Sequence, residues 1–152
     1  EILRCLVGSE MCIRDRYMRP SPEDLQDRTF FEQSTTLMLY TIAVAISQIA
    51  NNDKIGQFSA SHIVDGEIGF GIKDGPAVTI RAKNGRLVTI KKRCENPRAE
   101  MEFASMDLAR DLFDGKINAV ACIGMGAITM KGMISMIDNM NRLLDRVALY
   151  LA

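Results

Sequence analysis

The sequence predicts an α+β domain with five strands and several helices, and three observations carry this prediction. The chain has 152 residues, of which 47% are hydrophobic and 25% charged, as expected for one globular domain. Apolar residues alternate with polar ones on both sides of Asn84-Gly85, which is typical of a β-hairpin. The C-terminal region carries an apolar stripe at helical spacing, at positions 133, 137, 140, 144, 147 and 151.

The N-terminal half begins with a helix entry and a long helix. Ser21 is a good N-cap residue, and Pro22 suits the first helical position. The apolar tract Leu37–Ala50 is too short and too polar for a membrane span, so it fits a buried helix over residues 30–50. Asn51-Asn52-Asp53 is expected to end this helix.

The register of the predicted hairpin follows from which side chains share a face. A two-residue loop would place Ile80 opposite Thr89, whereas the three-residue loop Lys83-Asn84-Gly85 places Ile80 opposite Val88. Because cross-strand partners lie on the same face of a sheet, we predict the three-residue loop. Gly85 should then adopt a left-handed conformation as part of a bulge.

The remaining elements follow from short apolar runs and the turns between them. We expect further strands at residues 62–73, 99–104 and 127–131, further helices at residues 105–113 and 133–151, and a short apolar turn or helix at residues 117–123. The pattern Gly66-x-x-Gly69-x-Gly71 lies within a strand, and Gly124-x-Gly126 precedes one. Neither has the strand-to-helix context of a phosphate-binding loop, so bulges or close backbone approach explain them better.

Composition and motif content argue against several function classes. Lys plus Arg and Asp plus Glu both number 19, Trp is absent and aromatic residues make up 6%, so we expect no nucleic-acid partner. His62 is the only histidine, which excludes a two-histidine metal site, and the chain has no Gly-x-Ser-x-Gly elbow. We therefore expect no catalytic residue, no metal and no cofactor. The cysteines at positions 5, 12, 94 and 122 lack CxxC spacing, which favours a reducing, cytoplasmic setting.

A group of basic residues lies in and after the hairpin. Its members are Arg81, Lys83, Arg86, Lys91, Lys92, Arg93 and Arg98. A solvated sheet face is the simpler interpretation. The alternative is weak contact with an anionic membrane surface or a coenzyme A moiety, which salt would weaken.

Methionine is concentrated in the C-terminal third of the chain. Seven methionines lie within forty positions: Met101, Met106, Met125, Met130, Met133, Met136 and Met140. Methionine is a poor choice for specifying a tightly packed core, but its flexible side chain fits irregular apolar guests. This pattern alone leaves both a plain core and an adaptable cavity open.

The segment Asp114–Met133 resembles the sterol-carrier-protein lipid-binding domain. The similarity rests on Gly115-Lys116-Ile117-Asn118, on the short apolar helix after it and on Gly126-Ala127-Ile128-Thr129-Met130-Lys131-Gly132. The meander Asp65–Arg93, with its Lys73-Asp74-Gly75 turn, extends the resemblance. It implies a mainly antiparallel five-stranded sheet covered by helices. It also implies an apolar tunnel that binds a fatty acid, acyl-CoA or sterol-like lipid without catalysis.

Alternation and helical spacing predict which residues line this tunnel between the sheet and the final helix. Met133, Met136 and Met140 lie on one face of a helix, and Phe103 alternates onto the inner face of its strand. The complete set is Phe103, Met106, Phe113, Val120, Ile123, Met130, Met133, Met136, Ile137 and Met140. The alternative is a structural or regulatory interaction module that has the same fold and a cavity filled by side chains. A homodimer also stays open, because the apolar end of the final helix either closes the core or pairs with a second chain.

The first sixteen residues resemble the translation of a transposase-type sequencing adapter. The match is eleven residues long, Leu6–Arg16, and it continues upstream in the same reading frame. We therefore expect residues 1–16 to be an artefact outside the fold and residues 17–152 to form one lipid-binding domain. Deleting residues 1–16 should leave the midpoint of thermal unfolding unchanged, and a fall of several degrees would contradict this expectation.

Overall fold

The computed structural model describes residues 20–117 and 119–151. Two units are distinguished along the chain, one ending at Met38 and the other beginning at Leu39. Residues 1–16, which we predict to be outside the fold, are not among the described residues. In the part of the chain that is described, no helix is long and apolar enough to cross a membrane.

Helices form where the sequence predicts them, with one addition. The α-helices of the described residues are α1 (Arg28–Asn52), α2 (Lys54–Ser61), α3 (Met106–Phe113), α4 (Ala119–Gly124) and α5 (Ile134–Leu151). The addition is α2, which the Asp53 carboxylate caps by accepting a hydrogen bond from the N–H of Gly56 at 2.9 Å. The predicted helix entry is displaced. Ser21 accepts a hydrogen bond from the N–H of Asp24 at 3.2 Å, but only a short 3-10 turn, Asp24–Gln26, forms there.

The five strands form one sheet. They are β1 (Gly66–Ile72), β2 (Ala77–Lys83), β3 (Arg86–Ile90), β4 (Ala99–Phe103) and β5 (Ile128–Gly132). Their spatial order is β3-β2-β1-β4-β5, in which β1 and β4 are parallel and the other neighbouring pairs are antiparallel. The predicted α+β fold with five strands is confirmed, and the sheet is mixed but mostly antiparallel.

The predicted register of the β2–β3 hairpin is wrong. Ile80 pairs with Thr89 rather than with Val88, so the loop contains two residues, Asn84-Gly85. Both loop residues have positive φ, at 51° and 72°, which is the backbone of a tight two-residue turn and needs no bulge. Val88 consequently lies on the opposite face from Ile80 and is 58% exposed.

The polar side chain of Thr89 can lie on the inner side of the sheet because α1 supplies its hydrogen-bond partners. Thr89 Oγ1 donates to the carbonyl of Ala43 at 2.7 Å and lies 2.6 Å from Ser47 Oγ. The Asn51 amide also binds the free edge of β3, since it donates to the carbonyl of Leu87 at 2.7 Å and accepts from the N–H of Leu87 at 3.0 Å. The partner helix, rather than apolar matching between strands, therefore determines this register.

Alternate strand positions divide the sheet into an inner and an outer face. The inner face packs with α1 and α5 in one core through Ile68, Phe70, Ile72, Val78, Ile80, Ala82, Leu87, Ala99, Met101, Phe103 and Ile128. The outer face carries Glu67, Thr79, Arg81, Lys83, Arg86, Val88, Glu100 and Glu102. Gly71 also lies there, where a Cβ would collide with Ala77 of β2, so the close backbone approach predicted for the strand glycines is confirmed at this position.

Residues 91–98, which join β3 to β4, cross the outer face. Thr79 Oγ1 donates a hydrogen bond to the carbonyl of Lys92 at 2.7 Å. Near the far end of this crossover segment, the N–H of Arg98 donates to the carbonyl of Glu67 at 2.8 Å. Backbone groups of the crossover segment are thus satisfied by β1 and β2.

Candidate functional site

Four of the predicted lining residues form a buried apolar floor between the sheet and α5. Phe103, Met136, Ile137 and Met140 are at most 2% exposed. The Phe103 ring makes an edge-to-face contact with Phe113, with 5.6 Å between the ring centroids. This contact places β4 next to α3, and the four buried residues of β4 and α5 belong to one core.

Five further residues of the predicted lining are not fully covered. Met106, Phe113, Met130 and Met133 are half-buried and pack against the core, whereas Ile123 is 37% exposed. We call Met106, Phe113, Met130 and Met133 the rim. The side chain of Val120, the tenth predicted residue, is not among those described.

Local structure explains where the rim residues lie. Ser105 caps α3 by accepting a hydrogen bond from the N–H of Leu108 at 3.2 Å, so Met106 begins that helix. Met130 is the strand partner of Met101 and shares its face of the sheet. Met133 lies just before α5, where its N–H donates to the carbonyl of Arg98 at 3.0 Å.

The Gly115-Lys116 turn, which contributed to the family resemblance, has a structural role at the end of α3. Lys116 pairs with Asp114 at 3.2 Å and with Asp111 at 3.3 Å. The hydrogen bond to Asp114, and then the one to Asp111, raises the pKa of Lys116. Arg110 is buried and its Nε donates to Asp114 at 3.1 Å. Arg110 is not among the predicted site residues, although its i,i+4 spacing from Asp114 is a signal for such a pair.

The described cavities do not lie beside the predicted lining residues. Two cavities, each of about 320 Å³, open on the outer face, and none of the ten predicted lining residues contributes to their walls. The first is lined mainly by polar side chains, including Cys94, whose thiol donates to Glu67 at 3.0 Å. Burial, and then the hydrogen bond to the Glu67 carboxylate, raises the pKa of the Cys94 thiol. At neutral pH the thiol is therefore protonated, which makes it a weak nucleophile.

Most of the basic residues in and after the hairpin already have partners. Arg81 pairs with Glu67 at 2.7 Å, and Arg93 pairs with Glu102 at 3.2 Å. The ammonium of Lys91 lies 4.7 Å from the centroid of the Tyr40 ring. The proposed anionic-ligand face of Arg81, Lys83 and Lys91 is therefore not one patch of free cations.

His62 lies at the C-terminal end of α2. His62 is exposed, and its Nδ1 lies 2.7 Å from the carbonyl oxygen of Phe58. Over residues 20–117 and 119–151, no group of three His, Cys, Asp or Glu side chains is placed to hold a metal ion.

No protein-family profile and no curated protein sequence matches the chain, but several solved structures do. The sterol carrier protein domain 2 of Helicoverpa armigera is 20% identical with a TM-score of 0.55, over 73% of this chain and 88% of that chain. An SCP2 structure of a ubiquinone synthesis protein is 12% identical with a TM-score of 0.53, over 73% of this chain and 96% of that chain. A crystal structure of sterol carrier protein 2 is 14% identical with a TM-score of 0.53, over 73% of this chain and 93% of that chain. The chain therefore has the fold of sterol carrier protein 2 domains, as its sequence resemblance predicted.

Proposed function

We propose that this protein binds an apolar ligand, without catalysis, between the inner face of the sheet and α5. The observation that carries the proposal is the rim: four large apolar side chains stay partly exposed above a fully buried apolar floor. A closed core would cover such side chains completely, because each half-buried one forgoes part of the about 1.5–3 kcal/mol that full burial of a large apolar side chain gives. The similarity to structures titled sterol carrier protein 2 supports this function.

The lining indicates the class of ligand. All ten predicted lining residues are apolar, so the ligand is a fatty acid, an acyl-CoA or a sterol-like lipid with a long hydrocarbon part. Five of the ten are methionines, whose flexible thioether side chains adapt to guests of different shape. An apolar pocket distinguishes single methylene groups weakly, so we expect a range of chain lengths to bind.

A second candidate function is a structural or regulatory interaction module of the same fold. The complete burial of Phe103, Met136 and Met140 favours it, because these side chains fill the space beneath the rim. The position of both described cavities on the outer face also favours it. This protein would then interact with a partner through its surface, and the inner side of its sheet would bind no lipid.

Lipid uptake by the full chain separates the two functions. Native mass spectrometry of protein purified from cells should show bound lipid, and a fluorescent fatty acid should bind saturably in solution. Met130→Trp adds bulk at the rim and should weaken fatty-acid binding at least ten-fold, since the indole occupies ligand space. Met125 is 76% exposed and outside the predicted lining, so Met125→Trp is the matched control and should bind as the wild type does. Absence of both co-purified lipid and saturable binding would support the interaction module instead.

A further inference from the structure

Helix α3 carries a buried arginine. Arg110 is 2% exposed, and among the described residues it is the only charged residue that is buried. Arginine is rarely buried unless its charge is paired, because partners must offset the loss of hydration. Asp114, one turn further along, is such a partner. A buried ion pair adds little stability compared with apolar residues of the same volume, so stability alone does not explain an arginine at this position.

Arg110 lies between two residues of the rim. Met106, Arg110 and Phe113 are spaced at i, i+4 and i+7, so they share one face of α3. This face is directed at β4, since the Phe113 ring meets the Phe103 ring edge to face with 5.6 Å between the centroids. The spacing therefore places a buried cation at the margin of the proposed ligand site, beside side chains that stay half-buried above the floor.

The contact with Asp114 does not have the geometry that a guanidinium offers a carboxylate at its best. Both carboxylate oxygens of Asp114 lie 3.1 Å from the same nitrogen of Arg110, Nε. A bidentate pair would instead use two nitrogens in parallel hydrogen bonds. Asp114 also pairs with Lys116 at 3.2 Å, so its negative charge is divided between two cations.

We infer that Arg110 binds the carboxylate of a fatty acid and thereby selects acidic lipids over neutral ones. The guanidinium stays charged at every physiological pH, and its planar fork matches a carboxylate. Away from water, such a contact is stronger than at an exposed surface. A sterol has a neutral hydroxyl and an acyl-CoA has a neutral thioester beside its acyl chain, so neither would place a negative charge there. The inference rests on the proposed function and narrows its ligand class.

Titrations of the full chain with cis-parinaric acid, a fluorescent fatty acid, and with its methyl ester test the inference. The two probes share one hydrocarbon part and differ in charge at one end. The ratio of their dissociation constants is compared between proteins, which cancels the difference in their solubility. Arg110→Met should shift this ratio against the acid by at least about ten-fold, since it removes hydrogen bonds to a charged group. Arg110→Lys keeps the charge without the fork and should give an intermediate ratio.

The final helix offers a matched control. Arg142 pairs with Asp138 at the same i,i+4 spacing and at 3.2 Å, but its side chain is 61% exposed. Arg142→Met should therefore keep the wild-type ratio. Because Arg110→Met leaves Asp114 without its buried partner, the double variant Arg110→Met/Asp114→Asn is measured as well, and circular dichroism should show every variant folded. An unchanged ratio in the Arg110 variants, or an equal shift in Arg142→Met, would overturn the inference.

Binding of the ester distinguishes failure of the inference from failure of the proposed function. The ester needs only the apolar floor and rim, so it should bind the wild type and Arg110→Met alike. If both probes bind and their ratio does not depend on Arg110, the inference is wrong and the proposed function stands. If neither probe binds saturably, the proposed function is wrong, and Arg110 belongs to an ion pair of structural importance only.

Discussion

The inner and outer faces of the sheet satisfy their polar groups in different ways. The half-buried hydroxyl of Thr89 on the inner face is bound by α1, at 2.7 Å from the carbonyl of Ala43. On the outer face, exposed charges pair with each other, as Arg81 does with Glu67 at 2.7 Å, and the crossover segment lies over them. Burial strengthens each inner-face contact and raises the cost of losing it, whereas exposed ion pairs contribute only about 0–1 kcal/mol. Substitutions on the two faces should therefore differ in how much they lower the free energy of unfolding.

The largest difference is expected between a lysine placed on the inner side and one placed on the outer face. Met136 is fully buried and Val88 is 58% exposed. A buried, unpaired ammonium would cost several kcal/mol in a closed core. Beside an open pocket, the stem of Met136→Lys follows the apolar wall and brings its ammonium towards the rim. We therefore expect Met136→Lys to fold with a lowered unfolding midpoint and to lose fatty-acid uptake.

Val88→Lys is the control for this experiment and, although it places an ammonium opposite Arg81, should change the free energy of unfolding by only about 0.2–1 kcal/mol. Thermal unfolding and fluorescent fatty-acid binding should be measured on both variants. Global unfolding of Met136→Lys would show a closed core, and full retention of fatty-acid binding would show that Met136 does not line the ligand site. Either result would contradict the pocket as proposed.

The same contrast explains which parts of the fold were predictable from sequence. The helical stripe of α5 and the alternation in β4 depend on local spacing, and both elements form where predicted. The hairpin register depends on Ala43 and Ser47, which lie more than forty residues from Thr89 in the sequence, so strand-to-strand matching chose the wrong partner for Ile80. Helix α2 was missed because Asp53, seen only as the end of α1, also caps the next helix.

The candidate site was predictable only in part. Phe103, Met136 and Met140 could be placed on the inner side because strand alternation and helical spacing fix their faces. How far each apolar residue is covered could not be predicted, since coverage depends on how α3 and α4 pack. The ion-pair partners of the basic residues could not be predicted either. Glu67 reaches Arg81, and Glu102 reaches Arg93, only after the strands have assembled.

Thr89→Val tests the inner-face interpretation with a smaller expected effect. The variant matches apolar residues across the hairpin, but it removes the hydroxyl that donates to the carbonyl of Ala43 and lies 2.6 Å from the hydroxyl oxygen of Ser47. We expect the free energy of unfolding to fall by about 1–3 kcal/mol, measured by urea denaturation. Val88→Thr, on the exposed side of the same strand, is the control and should have little effect. A stabilised Thr89→Val would mean that the hydroxyl is tolerated rather than required.

The link between α2 and α5 should depend on pH. The hydrogen bond from the Gly56 N–H, followed by the contacts from Arg146 and Tyr150, lowers the pKa of Asp53. A carboxyl whose pKa is lower in the folded state contributes stability above its unfolded pKa and loses it as pH falls through the folded value. Asp53→Asn should therefore lower the thermal unfolding midpoint at neutral pH, with the difference from wild type shrinking in acid. A difference that is constant down to acid pH would exclude a role for the charge, because Asn retains the capping geometry.

The smallest effect on stability is expected on the outer face, where a change in reactivity is the clearer measurement. Glu67→Gln removes the carboxylate that accepts the Cys94 hydrogen bond and pairs with Arg81. Stability should change little because that ion pair is exposed.

Burial is the first cause of the raised pKa of Cys94 and the carboxylate the second, so the variant should lower this pKa while leaving it above that of a free thiol. The rate of maleimide labelling at Cys94, followed peptide by peptide across a pH series, should therefore rise at a lower pH in Glu67→Gln than in the wild type. Cys122 is buried and serves as the internal control, and an identical pH profile for Cys94 in both proteins would show that burial alone sets its reactivity.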